Sequence, residues 1–545
     1  MNITRTASLN YAEYGVAALL TLAAVALHLL LHANVGEPWR DEVSAIAVAS
    51  MPTFGEVWAA IRFDSFPILY YALLHIWMGI FGDTTASLRA LGLGLGLGAL
   101  AASWWLARRL RIGAPLLLLA MVAVSAAVIR YGDSARAYGL GLITASLMLG
   151  SVWTLLSDCS KKSIAIALIA CLAASHTTYQ NSLLLLVVGS AAILASAINR
   201  RWQHAGAIAI VCAVTAASVM IYLPALSYTK SLAIMFKWSI SARDVFAAFG
   251  QTVSTGYGDW QKWTWLALAA GGIAVALVSL RTASLRPLST ERGEAMTRAL
   301  FVVLVIPLLA LTYTVFLIWS DYAVRPWYLL ALMLVLAAVI EAGLASWTDL
   351  PPAVRLLRLA LALVIGTVAA VNAPAELTRR ATNMPDLIAA IEREGGPNDL
   401  IVVTEWYAGL TFNHLYRGKK AWMTIPDMGA HSVHRWDTLK ERLQDRNGIA
   451  RELEQIQRTI HAGHRVFVIG GFPRANPQMV RGQLPPAPHP IAGWAYNYYT
   501  GYWAAQIGVL LLSNATQASV LQPQAGQESV MYWENLQLLA FSRTN

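Results

Sequence analysis

Apolar runs of about 17 to 25 residues, each long enough to cross a hydrocarbon layer, recur from Tyr14 to Ala373. No other feature limits the chain so strongly. Backbone in lipid must satisfy its N–H and C=O groups internally, so such runs fold as helices packed side by side. Of 545 residues, 57% are hydrophobic and 13% charged, against roughly 25% charged in soluble domains. The predicted spans are 14–31, 87–106, 114–129, 137–156, 163–174, 182–198, 205–226, 263–280, 299–319, 327–345 and 356–371, about eleven in all. The first run has no cleavage-site signature and reads as a retained signal anchor.

Residues 67–82 (PILYYALLHIWMGIFG) are apolar but short. Charge placement settles their reading. If they do not span and the N-terminus is cytoplasmic, Arg108, Arg109, Arg111, Lys161, Lys162, Arg200, Arg201, the 281–298 loop, Arg355 and Arg358 all lie inside. That obeys the positive-inside rule at every turn; if they span, every cluster flips outward. The stretch is therefore predicted as an interfacial or re-entrant helix. The first outer loop then runs over 33–86, too long for a plain connector. The run 91–97, LGLGLGL, predicts close approach of helix backbones.

The net charge of +10 does not point to nucleic acid. Its basic residues sit in short clusters between apolar runs, as topology determinants do, and not on a soluble face. Cys159, Cys171 and Cys212 all fall in the membrane part, so no disulfide framework or zinc pattern is available.

After Val371 the composition becomes mixed. Residues 400–403 and 466–469 read as strands and 439–461 as an amphipathic helix. The expected fold is a helical polytopic membrane domain over 1–373 and a small α/β extracytoplasmic domain over 374–545. The run VIGGF at 468–472 is not a dinucleotide fingerprint. His431 and His434 lack a third ligand nearby and read as surface histidines. The aromatic run 494–503 reads as domain core or an interface belt.

Four polar clusters fall on the predicted outer face: 37–42 (EPWRDE), 130–138 (RYGDSARAY), 176–181 (HTTYQN) and 321–328 (DYAVRPWY). Ionisable groups at a membrane boundary are costly unless they face a cavity or a partner, so one polar chamber is expected. Asp41 and Glu42 offer a base for a hydroxyl nucleophile. Arg40, Arg130, Arg136 and Arg325 offer charge-assisted contacts to a phosphate leaving group. Tyr131, Tyr138, Tyr179 and Tyr328 add hydrogen bonds and apolar walls. A base, an anion clamp and a position at membrane depth fit transfer of a group from a lipid phosphate to a hydroxyl.

At these residues the chain resembles the polytopic GT-C glycosyltransferases, in particular bacterial family 39 relatives of protein O-mannosyltransferases and lipid A aminoarabinose transferases. The shared features are the Asp41-Glu42 pair in WRDEVSAIAVA, the stretch from Asp64 to Tyr71, and Tyr131 to Tyr138 with Arg136. His176 with Tyr179, and Arg325 with Tyr328, complete the order. Phe66 and Ile68 stand where the family has His and Pro, and Ser134 beside Asp133 where it has Glu.

The resemblance implies an inverting glycosyltransferase using a polyprenyl-phosphate-linked monosaccharide at the outer leaflet of a bacterial inner membrane. Asp41 would be the general base, and Glu42 would position Asp41 or the acceptor. Arg136, with Arg40, Arg130 or Arg325, would hold the departing phosphate. Asp64, Tyr131, Asp133, Tyr138, His176, Tyr179, Asp321 and Tyr328 would line the substrate site. The acceptor would be a lipid, glycan or protein hydroxyl, and a divalent metal is compatible although no dedicated ligand set is visible. A flippase for a lipid-linked sugar should carry inverted repeats and broken helices near mid-membrane; no internal repeat is evident, and the ionisable residues gather on one side. A catalytically silent envelope subunit would not need Asp41 together with Arg136.

Overall fold

The computed structural model describes residues 2–64, 66–237, 239–254, 260–285, 290–345, 352–470, 480, 484–521 and 529–543. Ser65, Gly471, Phe472, residues 286–289 of the basic loop and residues 255–259 of the outer loop lie outside the described residues. The chain forms two compact units.

The first unit comprises Met1–Asn34, Phe66–Leu223 and Trp238–Thr378. Among the described residues, 8 helices are long and apolar enough to cross a membrane: Ser8–Asn34, Thr85–Leu110, Tyr138–Leu155, Tyr179–Ile198, Trp202–Phe236, Trp260–Ser284, Arg292–Ser320 and Pro352–Leu377. The protein is thus a multipass helical membrane protein. By this measure the expected eleven spans are not reached. The predicted span 163–174 is the 15-residue helix Lys161–Ser175, and 327–345 is the 16-residue helix Leu330–Ala345. Helix Ile68–Phe81 has 14 residues, about 21 Å at 1.5 Å per residue and short of a hydrocarbon core of about 30 Å.

The predicted span 114–129 is not one helix. It divides into Leu116–Leu118, a π turn at Leu119–Ala123 and Ala126–Gly132. Its start is held by a carboxyl group that sequence reading passed over. Glu341, fully buried in helix Leu330–Ala345, accepts the backbone N–H groups of Leu117 at 3.0 Å and Leu118 at 2.9 Å. These are donors that the first turn of a helix leaves unpaired. After the π turn, Ser125 leaves helical geometry with ψ 124, so the chain breaks there and re-enters as a second helix.

The stretch 227–261, between the predicted spans 205–226 and 263–280, is largely helical. Leu223–Ala233 and Ala242–Val253 occupy much of it. Ser241 accepts the Asp244 N–H, and the Asp244 carboxylate accepts the Ser241 N–H at 2.8 Å. This reciprocal cap starts the second helix.

The second unit comprises Val35–Ser65, Pro224–Lys237 and Arg379–Asn545. Its strands are β1 Leu400–Val403, β2 Ala421–Thr424, β3 Val466–Gly470, β4 Gln517–Val520 and β5 Gln537–Ser542, in the order β2-β1-β3-β5-β4. The first three are parallel; β5 runs antiparallel to β3 and to β4. Strands β1 and β3 are buried throughout, as parallel strands covered on both faces must be. Alternate residues serve the two faces. Leu400, Val402, Val466 and Val468 join a core with Leu439, Ile456, Tyr499 and Trp503. Ile401, Val403, Phe467 and Ile469 join another with Leu387, Ile391 and Phe412.

The helix expected over 439–461 is two, Trp436–Gln444 and Ala450–His461. Between them Asp445 accepts the Asn447 N–H at 2.9 Å, a local turn that competes with helix. Tyr499, Tyr502 and Trp503 of the aromatic run are core. Val35–Ser65 and Pro224–Lys237 cluster with the C-terminal sheet in this unit. Ala381 donates to the Val35 carbonyl at 2.8 Å, and the Arg40 N–H donates to Glu534 Oε1 at 3.2 Å.

Candidate functional site

The second unit holds the carboxylate pair. Asp41 and Glu42 open helix Arg40–Ala49, where negative side chains complement the positive helix end. They do different things. Glu42 is 1% exposed, and its Oε2 accepts the Trp39 N–H at 3.2 Å, folding back on the helix start. The Asp41 side chain is 24% exposed. Its Oδ1 has Arg40 Nε at 3.7 Å and His434 Nε2 at 3.5 Å.

Arg40 is anchored. It donates to the Trp533 carbonyl at 3.1 Å, and its guanidinium lies 4.2 Å from the Tyr407 ring centre and 5.3 Å from that of Trp39. Burial pushes the Tyr407 phenol well above its ordinary range, so the ring stays neutral beneath the cation. Behind the helix start lies Glu534, fully buried. Its Oε1 accepts from Thr411 Oγ1 at 2.8 Å as well as from the Arg40 backbone. Burial raises this carboxyl from its ordinary 4.5 to about 7, opposed by Arg40 and the hydroxyl donors.

His434 is not the surface histidine expected. Its side chain is 12% exposed. The ring stacks on Trp436 at 5.9 Å between centroids and 21° between planes, and meets Trp406 edge-on at 6.1 Å. His431 is likewise withdrawn, 3.4 Å from Asp427, whose carboxyl it helps hold below the usual range. No sequence signal ties residue 434 to residue 41; only the fold brings them together. Asp64, half-buried, closes the short turn Ile61–Phe63 in the same unit.

The first unit holds the other candidates. Arg136 is 6% exposed, with its guanidinium 4.5 Å from the ring centre of Phe66. Phe66 in turn meets Tyr138 at 5.2 Å. The Tyr131 ring contacts Trp327 at 5.1 Å, joining the 130–138 and 321–328 clusters. The Leu69 N–H donates to the His176 carbonyl at 3.0 Å, joining the 176–181 cluster to helix Ile68–Phe81. The 130–138 and 321–328 clusters thus meet directly within this unit, and the 176–181 cluster meets helix Ile68–Phe81. Arg325 precedes the short turn Pro326–Tyr328 and is half-buried with Tyr328.

Several expected substrate residues have partners of their own. Both oxygens of Asp133 take His28 Nδ1, at 2.9 and 2.8 Å. Arg130, 5% exposed, donates to the Glu376 carbonyl and pairs with its carboxylate at 3.8 Å. His176 bonds Tyr222 Oη at 2.6 Å and Ser218 Oγ at 3.0 Å, and Tyr222 also receives the Ile68 N–H. Tyr179 packs against Tyr222 at 5.9 Å. Asp321 ends helix Thr290–Ser320 in left-handed geometry, φ 54, a conformation that Asp tolerates better than most residues. Among the described residues, no group of three or more His, Cys, Asp and Glu side chains is placed to hold a metal ion.

No protein-family model and no curated protein matches the sequence. Among solved structures the chain is similar to ArnT from Cupriavidus metallidurans. In the apo state the identity is 12% and the TM-score 0.48, over 84% of this chain and 93% of that one. For ArnT bound to undecaprenyl phosphate the values are 11% and 0.44, over 83% and 92%. The oligosaccharyltransferase of Archaeoglobus fulgidus, tethered to an acceptor peptide containing the NVT sequon, is similar at 11% identity and a TM-score of 0.44, over 96% of this chain and 74% of that one.

Proposed function

We propose that the protein is an inverting glycosyltransferase that moves a monosaccharide from a polyprenyl-phosphate donor to a hydroxyl acceptor at the outer face of a bacterial inner membrane. The observation that carries this reading is the asymmetry of the carboxylate pair. Glu42 is buried as a helix cap, whereas Asp41 is partly exposed with Arg40 and His434 beside one oxygen. A solvent-reachable carboxylate held in place by neighbours is what a general base needs. The sequence resemblance and the positive-inside pattern support the donor class and the sidedness.

In the reaction the acceptor oxygen attacks the anomeric carbon as Asp41 takes its proton. The bond from that carbon to the phosphate oxygen breaks, and polyprenyl phosphate departs with the electron pair. Arg136 and Arg325 stabilise the charge that develops on the leaving phosphate. Arg130 and Asp133, committed to Glu376 and His28, hold the bundle instead. Arg40 orients the start of the Asp41 helix. The sheet domain lies outside the cytoplasm.

The test is sugar transfer from a radiolabelled polyprenyl-phosphate sugar panel by the purified protein, with Asp41→Asn alongside. Turnover in the wild type that falls at least ~100-fold in the variant is expected. Undiminished turnover in Asp41→Asn would remove Asp41 as the base.

A further inference from the structure

The surroundings of His434 constrain its proton. Nδ1 is buried and has no hydrogen-bond partner among the described residues, whereas Nε2 faces Asp41 Oδ1 at 3.5 Å. A neutral imidazole carries one N–H. Placed on Nδ1, that hydrogen would be a buried donor with no acceptor, which is costly. Placed on Nε2, it meets a carboxylate. The site therefore selects the tautomer that carries its hydrogen on Nε2, toward Asp41. The Trp436 stack and the Trp406 edge fix the plane of the ring, so that hydrogen has one direction. The 3.5 Å separation suits a bond that shortens once substrate is present, as catalytic contacts often do.

We propose that His434 is a positioning residue for Asp41, its Nε2–H steering the carboxylate through Oδ1 into the orientation that receives the acceptor's proton. This rests on the transferase reading above. Sequence and structure separate cleanly here. The AHSVH motif shows two histidines three apart, and only the packing of Trp406 and Trp436 turns one of them toward a residue nearly four hundred positions earlier.

The experiment compares full-length wild type with His434→Ala, His434→Gln, Asp41→Asn and the double variant Asp41→Asn/His434→Ala. Transfer kinetics are measured alongside thermal unfolding. A Gln amide can place an N–H near the position of Nε2; Ala cannot. His434→Ala should lose roughly 10- to 100-fold in kcat, the scale of a misplaced catalytic group, with donor KM unchanged. His434→Gln should recover most of it. The double variant should be no slower than Asp41→Asn, because both changes remove the same step. Equal loss in Ala and Gln, or additive losses in the double variant, would overturn the proposal.

A readout without activity separates this proposal from the transferase reading. In 15N-histidine-labelled protein, the resonance assigned to His434 by its absence from His434→Gln should report the Nε2–H tautomer and move in Asp41→Asn. A wild type that transfers no sugar, yet shows that shift, would sink the transferase reading while upholding the pairing. A His434 signal indifferent to Asp41→Asn would overturn the pairing itself.

Discussion

The backbone of Asp133 lies so close to Gly92 that a Cβ on the glycine would meet the Asp133 carbonyl oxygen at 1.9 Å. One turn on, a Cβ on Gly96 would meet Asp133 Oδ1 at 1.8 Å and His28 Cε1 at 2.8 Å, while one on Gly94 would meet nothing within 4 Å. The alternating glycines of helix Thr85–Leu110 are therefore not equivalent. One face receives the Asp133–His28 pair; on the other, Gly94 is open and a Cβ on Gly98 would meet Ile143 Cδ1 at 3.0 Å. Gly92→Ala should destabilise the protein by about 2 kcal/mol or more, because backbone must move. Gly94→Ala should be neutral or stabilising by up to about 1 kcal/mol through helix propensity. Thermal unfolding in detergent checks both, and equal behaviour of the two variants would contradict the packing described.

Glu534 makes stability depend on pH in a direction unusual for a carboxyl group. Its pKa is about 7 in the fold against an ordinary 4.5. Between those values the folded protein keeps a proton that the unfolded chain has released, so stability falls as pH rises through this window and stays reduced above it. The full difference is about 3 kcal/mol. The wild type should lose up to that amount relative to Glu534→Gln when unfolding is compared at pH 5 and pH 8. Parallel curves would show that Glu534 ionises normally.

Arg136 and Arg130 are neighbours in sequence with different expected phenotypes. Arg136→Ala should lower kcat/KM for the lipid-phosphate donor by about 100- to 1000-fold. Arg136→Lys should recover little, since an ammonium lacks the planar fork. Arg130→Ala should appear chiefly as a loss of stability of about 1–2 kcal/mol, because its bonds go to Glu376. Steady-state transfer assays and thermal unfolding on the same preparations separate the two. A larger kinetic defect in Arg130→Ala than in Arg136→Ala would reverse the assignment.

Much of the architecture follows from composition along the chain. Long apolar runs must become helices in lipid, because backbone polar groups there have no other partner, and the short run 67–82 forms a helix of only 14 residues. The strands β1 and β3 were legible because parallel strands buried on both faces are continuous apolar runs. Strand β4 was not, since all four of its residues are exposed. The broken segment 114–129 was also invisible, because its start is set by Glu341, more than two hundred residues away.

Composition and pattern along the chain are enough for a multipass helical protein with a C-terminal α/β domain, and they mark out a short set of polar residues. Tertiary structure decided how those residues are used. Chain-distant contacts gave Asp133 to His28 and Arg130 to Glu376, and brought His434 and Glu534 to the helix that carries Asp41, where Glu42 caps its own first turn at Trp39. Local sequence sets which groups a segment offers. Which group is buried, paired or left reachable depends on what packs against it, and that partner lies elsewhere in the chain.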